Sequence, residues 1–152
     1  MASPPATESP LALLRRACDD VVEALGARGC TLSRLIGDLL VEVAEDAAWP
    51  GRRGLSRGFL VSDYPSTEAV LLNRDPLALS LADDAVDPAE AAVLEEVGCE
   101  SLLMLPFESG GEVWGLVEVY GTDGRRFDAE DAERAAEIVR AAGSALERLR
   151  AV

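Results

Sequence analysis

SLLMLPF (residues 101–107), ESGG (108–111), EVWGLVEVY (112–120) and GTDGRRFDAEDAERAAEIVRAAGSALERLR (121–150) form one continuous stretch that decides the fold. Two apolar β-type segments flank Ser109-Gly110-Gly111, and paired glycines suit a tight hairpin turn. The nearly continuous apolar character of both segments predicts a sheet covered on its two faces. Asp128-Ala129-Glu130-Asp131 predicts a helix start, with Phe127 placed to pack on the first turn. The helix then runs to about Arg150, with Ala132, Ala135, Val139, Ala142, Leu146 and Leu149 at steps of three and four. Ile138, Ala141 and Ala145 give it a second apolar flank.

Moving towards the N-terminus, Asp87-Pro88-Ala89-Glu90 reads as a capping box with proline at the first helical position, and Gly98 closes that helix. Leu77, Leu79 and Leu81 alternate with Ala78, Ser80 and Ala82, which predicts a strand ending at Asp83-Asp84. Tyr64-Pro65 leads into a short helix to about Asn73, with Val70 and Leu71 on its buried side, and Gly58–Ser62 is a short apolar piece. Residues 45–57 are rich in Asp, Pro, Gly and Arg and read as a mobile loop. Cys30–Ile36 and Leu39–Ala44 are two strands joined at Gly37-Asp38. Ser9 and Pro10 start a first helix that Gly26 ends. Its apolar positions Leu11, Leu14, Cys18, Val21 and Leu25 form a narrow seam. Residues 1–8 read as a disordered tail and 9–150 as one domain of α+β class. The expected core is a sheet of five to six mostly antiparallel strands, with the terminal helices on one face and the irregular middle on the other.

Composition excludes more than the motifs assert. The 152 residues carry 14 basic and 28 acidic side chains, a net charge of −14, so nucleic acid is not an expected partner. There is no histidine, which removes the usual general base, the Ser-His and Cys-His pairings and the usual haem ligand. No catalytic set and no metal-ligating set is predicted. Cys18, Cys30 and Cys99 are three widely spaced cysteines without a CxxC, read as reduced thiols. With neither a secretory leader nor a membrane-length apolar run, a cytoplasmic location without membrane contact is expected. All basic residues are Arg and Ala is abundant, which suggests a GC-rich source genome.

Three stretches taken together, GFLVSDYPSTEAVLLNRDPLALSLADD (58–84), PAEAAVLEEVGCESLLMLPF (88–107) and GEVWGLVEVYGTDGRRFDAEDAERAAEIVRAAGSALERLR (111–150), resemble GAF domains of bacterial signalling proteins. The resemblance spans about residues 10–150 and is most specific at its C-terminal end. It implies a bacterial source, a central antiparallel sheet, terminal helices behind it, a small-molecule cavity in front roofed by the segment from Trp49 to Asp83, and dimers. It also implies a choice among cyclic nucleotides, bilins, haem, small metabolites or no ligand. The Asn-Lys-Phe-Asp-Glu pattern of cyclic-nucleotide binders is not matched, because Asn73 is followed by Arg74. No cysteine is followed by the histidine common at bilin attachment sites, and haem has no axial histidine. Cys30 and Cys99 do not match the sulfoxide-reducing enzymes of the fold, so a redox-type enzyme is disfavoured. The cofactor is left unidentified.

The candidate ligand contacts are Ser62, Tyr64, Ser80, Asp83, Met104, Trp114 and Glu118, each of a residue type that ordinary turns or core packing also use. Glu118 interrupts the apolar run of its strand, and a carboxylate on a covered strand is costly unless it is bonded. Arg52, Arg53 and Arg57 form a local basic group read either as solvated charges or as an anion-binding loop. Leu14, Cys18, Val21 and Leu25 of the first helix, with Val139 and Leu146 of the last, are the expected homodimer seam, a four-helix bundle between protomers. The functional expectation is a sensory module that binds a small molecule, dimerises, and passes a signal through its terminal helices to a downstream protein. The alternative is a ligand-free dimerisation or docking module.

Overall fold

The computed structural model describes residues 8–48 and 58–150. The tail expected over residues 1–8 therefore falls, except for Glu8, outside the described residues, as do Trp49, Arg52, Arg53 and Arg57 of the expected loop and roof. Four helices and six strands follow in the order α1 (Pro10–Leu25), β1 (Gly29–Ile36), β2 (Leu39–Glu45), β3 (Gly58–Leu60), α2 (Pro65–Asn73), β4 (Leu77–Ser80), α3 (Pro88–Val97), β5 (Ser101–Ser109), β6 (Glu112–Gly121) and α4 (Ala129–Arg150). A single 3₁₀ turn, Val61–Asp63, joins β3 to α2.

The strands form one sheet in the order β3-β2-β1-β6-β5-β4, and every neighbouring pair is antiparallel. Glycine makes the central hairpin: Gly110 and Gly111 both take positive φ, at 63° and 78°, between the paired ends Ser109 and Glu112. The helix ends follow their caps. Ser9 Oγ accepts from the Ala12 N–H at 3.1 Å, Asp87 accepts from the Glu90 N–H at 2.9 Å, and Gly26 and Gly98 close α1 and α3 in the left-handed region. α2 ends instead at Arg74, with φ 55°, two residues before the proline expected to stop it. β4 stops at Ser80, so Leu81 lies beyond the strand.

Strand alternation divides the core into two layers. On the back of the sheet, Cys30, Leu32, Leu103, Leu105, Val117 and Val119 pack against α1 and α4. On the front, Leu40, Leu102, Met104, Leu116 and Tyr120 pack against Val61, Val70, Leu71 and Leu94 from the 3₁₀ turn, α2 and α3. α1 buries a broader stripe than its seam suggested, because Leu13 and Ala17 join Leu14, Cys18, Val21 and Leu25, while Leu11 is 42% exposed. The six residues expected to face a second protomer, Leu14, Cys18, Val21, Leu25, Val139 and Leu146, are all buried in this back layer. They cover the chain's own sheet, which corrects their reading as a dimer seam. A 3.5-residue spacing serves either purpose, and here the sheet takes it.

One side chain ties the two back helices together. Arg125 reaches the last carbonyl of α1, Leu25 O, at 2.8 Å, and forms a fork with Asp131 in the first turn of α4 at 2.9 and 3.0 Å. The C-terminus of α1 therefore meets the N-terminus of α4, and the two helices run antiparallel.

Candidate functional site

Between the front of the sheet and α3 lies a cavity of about 70 Å³. Its floor is supplied by β2 and β6 through Glu42, Glu118 and Tyr120, and its walls by Val93 and Val97 of α3 and by Phe59 and Tyr64 beside α2. Phe59 and Tyr64 meet edge to face with ring centroids 5.4 Å apart. Glu118 is 4% exposed and accepts a hydrogen bond from the Tyr120 hydroxyl at 2.9 Å, which fixes both groups on the floor. Thr67 of α2 donates to Glu90 of α3 at 2.6 Å and lies 3.5 Å from the Met104 sulfur, joining both front helices to the sheet. Burial pushes the Glu90 carboxyl above its ordinary range; the Thr67 hydrogen bond opposes the shift, and nearby Asp87 adds to it.

The front face differs chemically from the back. Thr31 stands in register with Glu118, Glu118 with Met104, and Ser33 with Glu42, so a band of polar side chains crosses β2, β1 and β6 on the cavity side. Thr31, Ser33, Glu42 and Glu118 are all at least 95% buried. The Thr31 Oγ1 and Ser33 Oγ atoms have no hydrogen-bond partner among the described residues. A buried hydroxyl without a partner costs about 1–3 kcal/mol. The same strands carry apolar side chains on the other face.

The sequence candidates divide unevenly. Tyr64 and Glu118 line the cavity, and Met104 lies in the floor beneath it, fully buried beside Thr67. Ser62 is exposed in the 3₁₀ turn and donates to Asp38 at 2.8 Å, a turn contact outside the cavity. Ser80 and Asp83 close the turn after β4: Asp83 accepts from the Ser80 N–H at 3.1 Å and pairs with Arg126, so both are structural. Trp114 is on the back of the sheet, stacked edge to face on Phe107 and covered by Arg34 at 4.5 Å, and is corrected from pocket to packing. Glu42, Thr67, Glu90 and Tyr120 were missed. Glu42 offered a signal, since it breaks an apolar strand as Glu118 does, whereas Glu90 was absorbed into its capping box and Thr67 carried no pattern.

Cys18 and Cys30 are buried in the back layer and Cys99 in the front core, and none of the three lines the cavity. Burial and the neighbouring Cys18 thiol push the Cys30 thiol well up, with the Cys18 hydrogen bond the larger cause. Among the described residues no group of His, Cys, Asp or Glu is arranged to hold a metal ion, and no helix is long and apolar enough to cross a membrane.

The fold has known counterparts. The phycoerythrobilin-bound GAF domain from a cyanobacterial phytochrome superposes with a TM-score of 0.80 at 17% identity, covering 96% of this chain and 90% of that one. The blue-light absorbing form of the Thermosynechococcus elongatus PixJ GAF domain gives 0.76 at 14% identity, over 93% and 86%. The far-red absorbing dark state of JSC1_58120g3 with bound biliverdin IXa gives 0.77 at 13% identity, over 93% and 91%. A comparison with curated proteins finds no match. The sequence profile of the GAF domain matches residues 9–146, nearly the whole of the described fold. With the six-stranded antiparallel sheet, the helices α1 and α4 behind it and the cavity in front all in place, this chain belongs to the GAF domain family.

Proposed function

We propose that this chain is a non-catalytic sensory module whose front cavity binds a small, amphipathic molecule. One observation carries the reading: the polar band of Thr31, Ser33, Glu42 and Glu118 is buried on the cavity face of strands whose other face is apolar. Selection for stability alone favours apolar residues there, so retained buried polarity points to recognition. Two of the structural neighbours hold bilins, phycoerythrobilin and biliverdin, but a covalently tethered bilin does not suit this chain. None of its cysteines lines the cavity, none precedes a histidine, and four glutamates, Glu42, Glu90, Glu96 and Glu118, line the cavity and disfavour an anionic ligand.

Binding acts on output only by its differential affinity for two states of the domain. The response leaves through α1 and α4, which pack on the floor strands from behind, and passes to a downstream signalling protein. The helices also support a homodimer, through the outward flank of α4 at Ile138, Ala145 and Leu149, which are half-buried in the single chain. Three free, buried thiols are in keeping with a cytoplasmic setting.

A thermal-shift panel of biliverdin, phycocyanobilin, cyclic nucleotides and small amphipathic metabolites tests the ligand reading. Stabilisation of the parent protein by at least one compound, abolished by Thr31→Val and Glu118→Gln, is the expected result. A panel without effect on the parent, with Thr31→Val simply more stable, would sink it. Sedimentation of Ile138→Glu tests assembly: a monomer is expected where the parent is a dimer.

A further inference from the structure

We infer that the end of the sheet at the β1–β2 and β5–β6 turns is a docking surface for a basic amphipathic helix of another polypeptide. A cleft of about 250 Å³ opens there, larger than the front cavity and separate from it. Leu35, Val61, Leu71 and Val113 make its floor, and Leu72 stands on its lip with 75% of its surface exposed.

Exposed apolar residues scattered singly over a surface need no account, but these are not scattered. Five large apolar side chains are exposed among the described residues, and four of them, Ile36, Leu39, Leu60 and Leu72, are at this end. Ile36, Leu39 and Leu60 occupy one cross-strand row on β1, β2 and β3. Leu35 and Leu40 pack into the front core, so alternation turns that row to the back of the same sheet end. The hairpin tip is therefore apolar on both faces, at a place where a free domain ordinarily carries charge or a blunted edge.

The rim selects the partner. Asp38 and Glu68 border the cleft and, among the described residues, no Arg does, in a chain of net charge −14. A second copy docking cleft to cleft would bring two acidic rims of Asp38 and Glu68 together, and an anionic surface would be repelled outright. A helix with a large apolar side chain for the cleft and Lys or Arg on its flanks meets both features at once, in the helix-in-groove mode.

Fluorescence anisotropy with a labelled amphipathic helix built only of leucine and lysine is the direct test. Oligolysine of equal charge and a leucine–glutamate helix serve as controls. The leucine–lysine helix should bind about tenfold or more tightly than either control, and Leu72→Ser should remove about that factor. Leu72 is exposed, so its replacement leaves the fold intact, which an unchanged melting temperature verifies. Asp38→Asn combined with Glu68→Gln should lower the affinity and flatten its dependence on salt. Equal binding by oligolysine, or parent-like affinity in both Leu72→Ser and Leu60→Ser, would reduce the effect to general charge attraction and overturn the assignment. So would a parent dimer that Leu72→Ser returns to monomer, since a second copy would then be the occupant.

Discussion

Asp131 and Glu90 are both carboxylates in the first turn of a helix, both at least 98% buried, and they are held in opposite ways. The Arg125 fork, backed by the Asp128 N–H and by Arg134, keeps the Asp131 pKa at about 2 despite burial. An acid whose folded pKa is depressed stabilises the fold above its ordinary pKa and loses that contribution as pH falls through the folded value. A shift of this size corresponds to about 2 kcal/mol, lost between about pH 4 and pH 2. Urea melts over that window should show Asp131→Asn less stable at neutral pH, with the acid-dependent part of the loss removed; a variant as acid-sensitive as the parent would contradict the pairing. Glu90 works the other way, because burial raises its pKa. The native state holds a proton that the unfolded chain has already released, so stability falls as pH rises from the ordinary carboxylate range through the raised value. Glu90→Gln keeps an acceptor for Thr67 and should raise the melting temperature at pH 7 while leaving it unchanged at low pH. Both residues were legible as caps. That the Glu90 side chain turns to Thr67, 23 residues earlier, was not, because the contact exists only once α2 and α3 are folded onto the sheet.

At the scale of elements, the glycine inside α4 shows which force positions that helix. A Cβ at Gly143 would sit 2.0 Å from the Glu108 carbonyl oxygen, and Ser109 Oγ donates to the Gly143 carbonyl at 2.8 Å. Alanine is worth about 1 kcal/mol more than glycine in a helix interior, so propensity alone makes Gly143→Ala stabilising. The clash is with rigid backbone, and lifting α4 from β5 costs about 2–4 kcal/mol of packing and hydrogen bonding. A net loss in chemical denaturation is therefore expected, with Ser144→Ala on the exposed side neutral or slightly stabilising. The terminal helices also carry the clearest misreading. Val139 and Leu146 were legible as an apolar seam, but spacing cannot say whether a seam faces a sheet or a partner. Because both are 4% exposed or less, changing either to Glu should unfold the domain rather than dissociate a dimer, and a folded monomer by circular dichroism would reverse that view.

Over the whole molecule, what was legible followed local chemistry. Turn glycines, caps and alternation point to four helices and five to six strands, of which the structure has six, and covered faces on β5 and β6 require layers on both sides. The site was legible only where a polar residue interrupts an apolar strand, as Glu118 does. Ser62, Ser80 and Asp83 failed because strand-end polar residues are turn formers first, and Trp114 failed because the register shift at Phe107/Glu108 interrupts alternation along β6, so that Trp114 and Glu118, four residues apart, face opposite sides. Removing the Arg125 guanidinium with Arg125→Ala should speed amide exchange at the C-terminus of α1 and the N-terminus of α4, leaving the sheet protected; uniform loss of protection would mean that the side chain holds up the whole fold.

The Arg125 contact also sets a length scale. With one end of each back helix held, it acts as a fulcrum, and any tilt grows with distance along the lever. A 22-residue helix rising about 1.5 Å per residue is about 33 Å long, so a rotation of about 3° at the held end displaces the far end of α4 by about 1.7 Å. A movement too small to detect beside the cavity floor is thereby magnified at the Arg150 end of α4.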